Sequence, residues 1–222
     1  MPRKTRSALY ILGVIIVVAG IVVYFGPRVQ GDSVPQAGVD GSHTPELDST
    51  SSGVTLRQIH SPGTVERDLT LPAGQCHMIV VDADAGEYLP DQTCTPGAVD
   101  PAVTQESIDA TICVSGYTST VRPPSTDTNK IKTMELAAYG IAYDKTIELD
   151  HQIPLELGGA NSVSNLWPEA NTSTATTVNN PKDQVENDLK TAVCDHTVTL
   201  IAAQTAINSN WVTAETVLGL SR

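Results

Sequence analysis

Positions 8–25, ALYILGVIIVVAGIVVYF, form a run of 18 residues without a charge, close behind Arg3, Lys4 and Arg6. At about 1.5 Å rise per residue, a helix of that length just spans the hydrocarbon core of a bilayer. A cleavable signal peptide has a shorter apolar stretch, roughly 7–15 residues, and a small-residue cleavage site; no such site follows Phe25. The run is therefore expected to be an uncleaved transmembrane anchor. Residues 1–7 would be a basic cytoplasmic tail, and everything after Gly26 would lie outside the cell membrane. That placement constrains the remaining fold, because outside the cytoplasm a chain can rely on disulfides. Cys76, Cys94, Cys113 and Cys194 all follow the run. An even number of exported cysteines implies two disulfides, with three pairings open, and no two of the four have the CxxC spacing of a zinc site.

The exported part has room for one catalytic domain. With one Phe, two Trp and six Tyr against 14 Pro and 16 Gly, it is expected to be small and loop-rich. Nine basic residues face all 25 acidic ones after residue 30, a formal charge of −16. Such a surface repels phosphate backbones, so tight non-specific nucleic-acid binding is not expected. A metal-dependent enzyme can still act on a phosphodiester if the cation supplies the local positive charge.

Residues 26–62, rich in Gly, Ser, Pro, Thr and Asp, read as a flexible spacer in which His43 and His60 are solvated. The domain should then run from 63 to 222. DLTLPAG and CHMIVVDA, between Val65 and Val81, suggest a short hairpin, which a Cys76–Cys94 bridge would tie. Asp100-Pro101 is a cap-and-start signal for a helix to Ile112, and VSGYTSTV at 114–121 alternates like a strand. Asp127 would cap a helix through NKIKTMELAAYG with Ile131, Met134, Leu136, Ala138 and Tyr139 on or near one face. Asn180-Pro181 opens a helix whose Val185, Leu189 and Val193 form one stripe. A last helix over 198–218 offers Leu200, Ile201, Ala206, Ile207, Trp211 and Val212 to the core. His77 and His196 have no partner pattern and read as structural.

Residues 147–168 carry the chemistry: IELDHQIPLELGGANSVSNLWP. Ile147, Leu149, Ile153, Leu155 and Leu157 keep a strand period around Asp150-His151, and Gly158-Gly159 permits a sharp bend. Two extended arms, a loop and the helix from Asn180 would make a β-β-α unit. Neighbouring side chains in extended backbone point apart, so the carboxylate can hold a cation while the imidazole handles a proton.

An Asp-His pair with Asn-Leu about fourteen residues later and a helix beyond resembles the HNH, or ββα-metal, endonuclease family. More narrowly, residues 94–212 resemble exported bacterial proteins described as HNH-type nucleases. The likeness rests on CTPGAVDPAVTQESIDATICVSGYTSTVRPP, ELDHQIPLELGGANSVSNLWPE and KDQVENDLKTAVC. It implies an α+β fold: a small ββα-metal core at 146–195 with additional helices and the short hairpin. It implies Asp150 as a metal ligand, His151 as general base, and Asn165 as the catalytic-site residue whose amide pins the loop behind His151. The third family position falls on Asn180, with Asn179 as neighbour, or Asn180 is simply a helix cap. Arg122, Lys130 and Lys182 match basic positions and are candidate phosphate contacts. Glu148 and Glu156 are candidate second-rank ligands, and Trp167-Pro168 packs the loop.

The implied reaction is hydrolysis of nucleic acid, DNA ahead of RNA, with a divalent ion such as Mg²⁺ and an imidazole of ordinary pKa near 6.5 as base. The expected partners are nucleic acid and the membrane, with no protein partner. Two other readings compete. One is an anchored binding or structural module that keeps the fold without the chemistry; the other is a glycan hydrolase using Asp150 and Glu156 as paired carboxylates.

Overall fold

The computed structural model describes residues 55–178 and 180–220. The expected anchor, the cytoplasmic tail, His43, Asn179 and most of the spacer lie outside the described residues. Among the described residues no helix is long and apolar enough to cross a membrane. The fold is α+β: short paired strands with four helices. Order begins earlier than composition suggests. Strand β1 (Arg57–Gln58) pairs in parallel with β4 (Ala98–Val99), Leu56 is buried, and Ile59 N–H donates to the Val99 carbonyl at 2.9 Å. The β1 side chains are both exposed, so main-chain bonding fixes this segment and leaves no apolar pattern to read.

The hairpin is β2 (Ile79–Asp82) against β3 (Glu87–Leu89), antiparallel, later in the chain than expected by about one strand length. The disulfide Cys76–Cys94 closes the region around it, and Cys113–Cys194 is the second bridge. The helix expected over 100–112 is replaced by turns and one 3₁₀ turn at Ile108–Ala110. Asp100 does accept Ala102 N–H (2.8 Å), but its carboxylate also takes His60 Nδ1 (2.8 Å). Ser107 Oγ accepts Thr104 N–H and donates to the Ala102 carbonyl. Side-chain bonds of this kind outcompete the helical ladder. His60 is thereby a hydrogen-bond partner of Asp100 rather than a merely solvated side chain.

The strand expected at 114–121 is instead helix α1 (Tyr117–Val121), entered through Gly116 at φ +84°. Its alternation reflects β-branched composition without a strand to pair with, and tertiary context overrides such propensities. Helix α2 (Ser125–Ala138) starts two residues before Asp127, straight after Pro123-Pro124. It buries Ile131, Glu135, Leu136 and Ala138, whereas Met134 is exposed. Gly140, at φ +63°, follows its end.

Strand β5 (Glu148–His151) pairs antiparallel with β6 (Leu166–Glu169), Asp150 opposite Trp167 and His151 opposite Leu166. The second extended arm is therefore not 153–157, where Leu155–Leu157 coil into a 3₁₀ turn, but the LWPE segment beyond the Gly-Gly bend. That bend needs glycine: a Cβ on Gly159 would sit 1.7 Å from the Ile153 carbonyl oxygen. Helix α3 (Lys182–Cys194) completes the β5-β6-α3 unit, with Val185, Leu189 and Val193 buried as the period predicts. Helix α4 (Leu200–Val217) buries Leu200, Ile207 and Trp211, is interrupted at Asn210 by non-helical backbone, and leaves Ile201 exposed, contrary to expectation.

The main core joins α3 and α4 to Ile153 and Leu157 of the motif loop and to Leu56, Val99, Val103 and Ile108. Each such fully buried aliphatic side chain contributes about 1.5–3 kcal/mol of transfer free energy. Helix α4 is also docked by polar side chains. Gln204 donates to the Leu157 carbonyl (2.8 Å), Gln152 donates to the Asn208 carbonyl (2.8 Å), and Trp211 donates to the Tyr88 carbonyl (2.7 Å).

Replacing Cys113 and Cys194 together by serine is expected to lower the unfolding free energy in urea titrations by about 2–5 kcal/mol. Their loop spans 81 residues, so the Cys76–Cys94 pair, spanning 18, should cost less. A second expectation concerns Glu135, which is buried with Oε2 lacking a hydrogen-bond partner and is pushed up to about 8 by burial. Its proton binds more tightly in the fold than in the unfolded chain, so that stability is full below pH 4.5 and declines as pH rises towards 8. Glu135→Gln should shrink this decline by up to roughly 4 kcal/mol in pH-resolved melting curves.

Candidate active site

A cleft of about 320 Å³ opens where β5, the Pro154–Glu156 turn, the end of α1 and the first turns of α3 meet. Arg122, Glu148, Asp150, His151, Glu156, Asp183 and Glu186 line it. Strand β5 delivers Asp150 and His151 together, both buried in bulk yet present in the cleft wall.

His151 is held from behind by a residue that sequence reading gave no role. Its Nε2 lies 2.9 Å from Asn161 Oδ1, while Asn161 Nδ2 donates to the carbonyls of Ser61 (2.8 Å) and Val121 (2.9 Å). With its amide nitrogen so committed, Asn161 presents an acceptor, so Nε2 carries the proton and Nδ1 keeps the lone pair. Burial pushes the imidazole down to about 4, against the opposing pull of Asp150. At neutral pH the ring is a neutral base. The available signal for Asn161 was an amide two residues after the Gly-Gly bend, ten residues from His151.

Asn165 sits behind the motif turn with its amide turned to the main chain. Fully buried, its Oδ1 accepts from Ile153 N–H (2.9 Å) and Ala98 N–H (3.3 Å), and its Nδ2 donates to the carbonyls of Ile153 and Ala160 (both 2.9 Å). Its role is structural: its side-chain bonds all go to main-chain groups, which shape the turn carrying the motif.

The cations are distributed differently from expectation. Arg122 is in the cleft wall and exposed. Lys130 is on the outer face of α2, 69% exposed, 3.9 Å from Asp127 and beside Thr64 and Arg67 rather than in the cleft. Lys182 is fully buried. Its Nζ donates to Asp150 Oδ2 (2.6 Å), to the His151 carbonyl (2.8 Å) and to Glu186 Oε1. An enclosed ammonium with three acceptors has no donor left for a phosphate, which corrects its assignment as a substrate contact.

Asn180 is likewise not oriented as a ligand. Its Oδ1 accepts Lys182 N–H (2.9 Å) and its Nδ2 donates to Glu148 Oε2 (3.2 Å), so it serves the start of α3 and steadies a cleft carboxylate. His77 and His196 lie outside the cleft lining, His196 Nε2 being 3.6 Å from Asp109.

Burial disfavours ionisation of Asp150, but the Lys182 charge overrides it and holds the carboxyl below its usual range. In the other acids burial outweighs the opposing charge of Lys182. Burial, then the charges of Asp150 and Asp183, push Glu148 up to about 7. Burial pushes Glu186 up to about 8 despite Lys182. Glu169, buried beside Asp150, is raised well above the carboxylate range by burial and by the Asp150 charge.

The cleft acids offer the oxygen donors that a hard divalent ion takes, and Glu156 Oε1 is buried without a hydrogen-bond partner, but among the described residues no three acid, histidine or cysteine side chains are gathered so that they could hold a metal ion. The expected pair of Asp150 with Asn180 does not fit. One is engaged by Lys182, and the oxygen of the other is used on the helix. No family model matches the chain, and neither a curated protein nor a solved structure matches it significantly.

Asn161→Ala should release the His151 ring from a fixed Nε2–H tautomer. Ring ¹⁵N shifts are expected to move from distinct protonated and unprotonated values toward averaged ones. Stability should fall by about 1–3 kcal/mol, because the imidazole N–H and two carbonyls lose their partners.

Proposed function

We propose that this chain is an HNH-type endonuclease that hydrolyses phosphodiester bonds in nucleic acid, DNA ahead of RNA, outside the cell membrane to which residues 8–25 tether it. The observation that carries the reading is His151, its ring held by Asn161, beside Asp150 in one open cleft, mounted on a β5-β6-α3 unit. The two disulfides support an oxidising location.

In this reading His151, held by Asn161, takes a proton from water, and Arg122 at the cleft wall meets the phosphate charge. Asp150, with Glu148, Glu156 or Glu186, would hold a divalent ion, Mg²⁺ by preference, whose chemistry is to offset charge on the phosphate and leaving oxygen. Asn165 keeps the turn behind His151 in shape. The surplus of carboxylates over cations in the cleft is why an acidic protein would handle a polyanion only with a cation present.

A second reading, an anchored module that has the fold without the chemistry, is favoured by the Lys182 ammonium already seated on Asp150. Plasmid cleavage by the purified chain separates the two. Activity is expected with Mg²⁺ or Mn²⁺, and His151→Ala should reduce it by roughly 10²–10⁴-fold in a protein that still folds, with its disulfides intact and a modestly lower melting temperature. Intact plasmid under every divalent ion tried would end the nuclease reading.

A further inference from the structure

Three features of Lys182 stand together. It has no solvent exposure, its three ammonium donors meet three acceptors, and one of these is Asp150, the carboxylate to which the nuclease reading gives a metal. The acceptors come from two elements: Asp150 Oδ2 and the His151 carbonyl from β5, and Glu186 Oε1 from the next turn of α3. Lys182 itself opens α3, where Asn180 and Asp183 fix its backbone: Asn180 Oδ1 accepts Lys182 N–H, and Asp183 Oδ2 accepts Asn180 N–H at 3.1 Å. The ammonium is thus delivered to Asp150 by a constrained helix terminus and not by a free surface side chain. Around it the cleft is short of positive charge: among the described residues Arg122 is the basic side chain of the lining, and Lys190 acts on Glu156 from beside it.

We propose that Lys182 is a tethered cation that occupies Asp150 in competition with a divalent ion. It keeps the cleft's affinity for such ions low and holds β5 against α3 before any ion arrives. The proposal deepens the nuclease reading and rests on it only for the expectation that a divalent ion belongs in this cleft. Lys182 is then a positioning residue, and its removal exchanges a fixed single charge for a vacancy among carboxylates that a double charge can fill.

The test is calorimetric titration of Mn²⁺ into the purified full chain and its Lys182→Gln variant, with melting curves in chelator and in Mn²⁺. Lys182→Gln should melt below the parent in chelator. It should bind Mn²⁺ about tenfold more tightly or better, and its melting temperature should rise with Mn²⁺ by more than the parent's, as expected when a ligand binds the folded state alone. Equal affinities, or no Mn²⁺ binding by either protein, would overturn the proposal.

A measurement on the parent chain guards against a variant that does not fold. The enclosed ammonium should give a slowly exchanging ¹⁵Nζ resonance that shifts or is lost as Mg²⁺ is added. A resonance that stays unmoved while Mg²⁺ saturates the protein would equally overturn the idea. Neither readout depends on cleavage, so an inactive protein counts against the nuclease reading alone.

Discussion

A single buried ammonium organises this domain. Taking Lys182 out of water costs several kcal/mol, which only closely placed partners can offset, and the three oxygens around Nζ supply that offset. In return β5 and α3 cannot separate without stripping Asp150 of its ammonium partner. The register follows: with Lys182 fixed at the start of α3, the Val185, Leu189 and Val193 stripe falls on the core shared with Ile153, Leu157 and α4. The opening charged residue of a helix therefore sets where an apolar face lands.

The electrostatics of the cleft follow first from burial. It pushes Glu148 and Glu186 up against the cations that oppose it, and it pushes the imidazole of His151 down against the pull of Asp150. Two neighbours on one strand, Asp150 and His151, end in opposite regimes, the first held ionised by a close ammonium and the second stripped of charge by burial. Environment, not residue type, divides the labour.

Much of this could be read from the chain, and the limits have physical reasons. The α3 stripe was legible because apolar residues recur at helical spacing. The Asp150-His151 pair was legible because adjacency in a strand needs no long-range information. Strand β6 was not: LWPE contains a proline and no alternation, and only the partner strand makes it extended. The Asp100 turn failed for a related reason, since its capping carboxylate is shared with His60, forty residues away. Lys182 was misread because a lone lysine at a helix start is ordinarily solvated, and its principal partner, Asp150, is 32 residues distant. Glu186 at i,i+4 was the visible hint.

The Cys113–Cys194 bridge encloses Asp150, His151, Asn161, Asn165 and Lys182 within one covalent ring. The segment at 173–178 is mostly exposed and connects β6 to α3. A protease that cut there would sever the backbone between the strand bearing the imidazole and the helix bearing the ammonium. Both fragments would nonetheless stay tethered, so the molecule has, in effect, a tolerance for nicking built into its covalent topology.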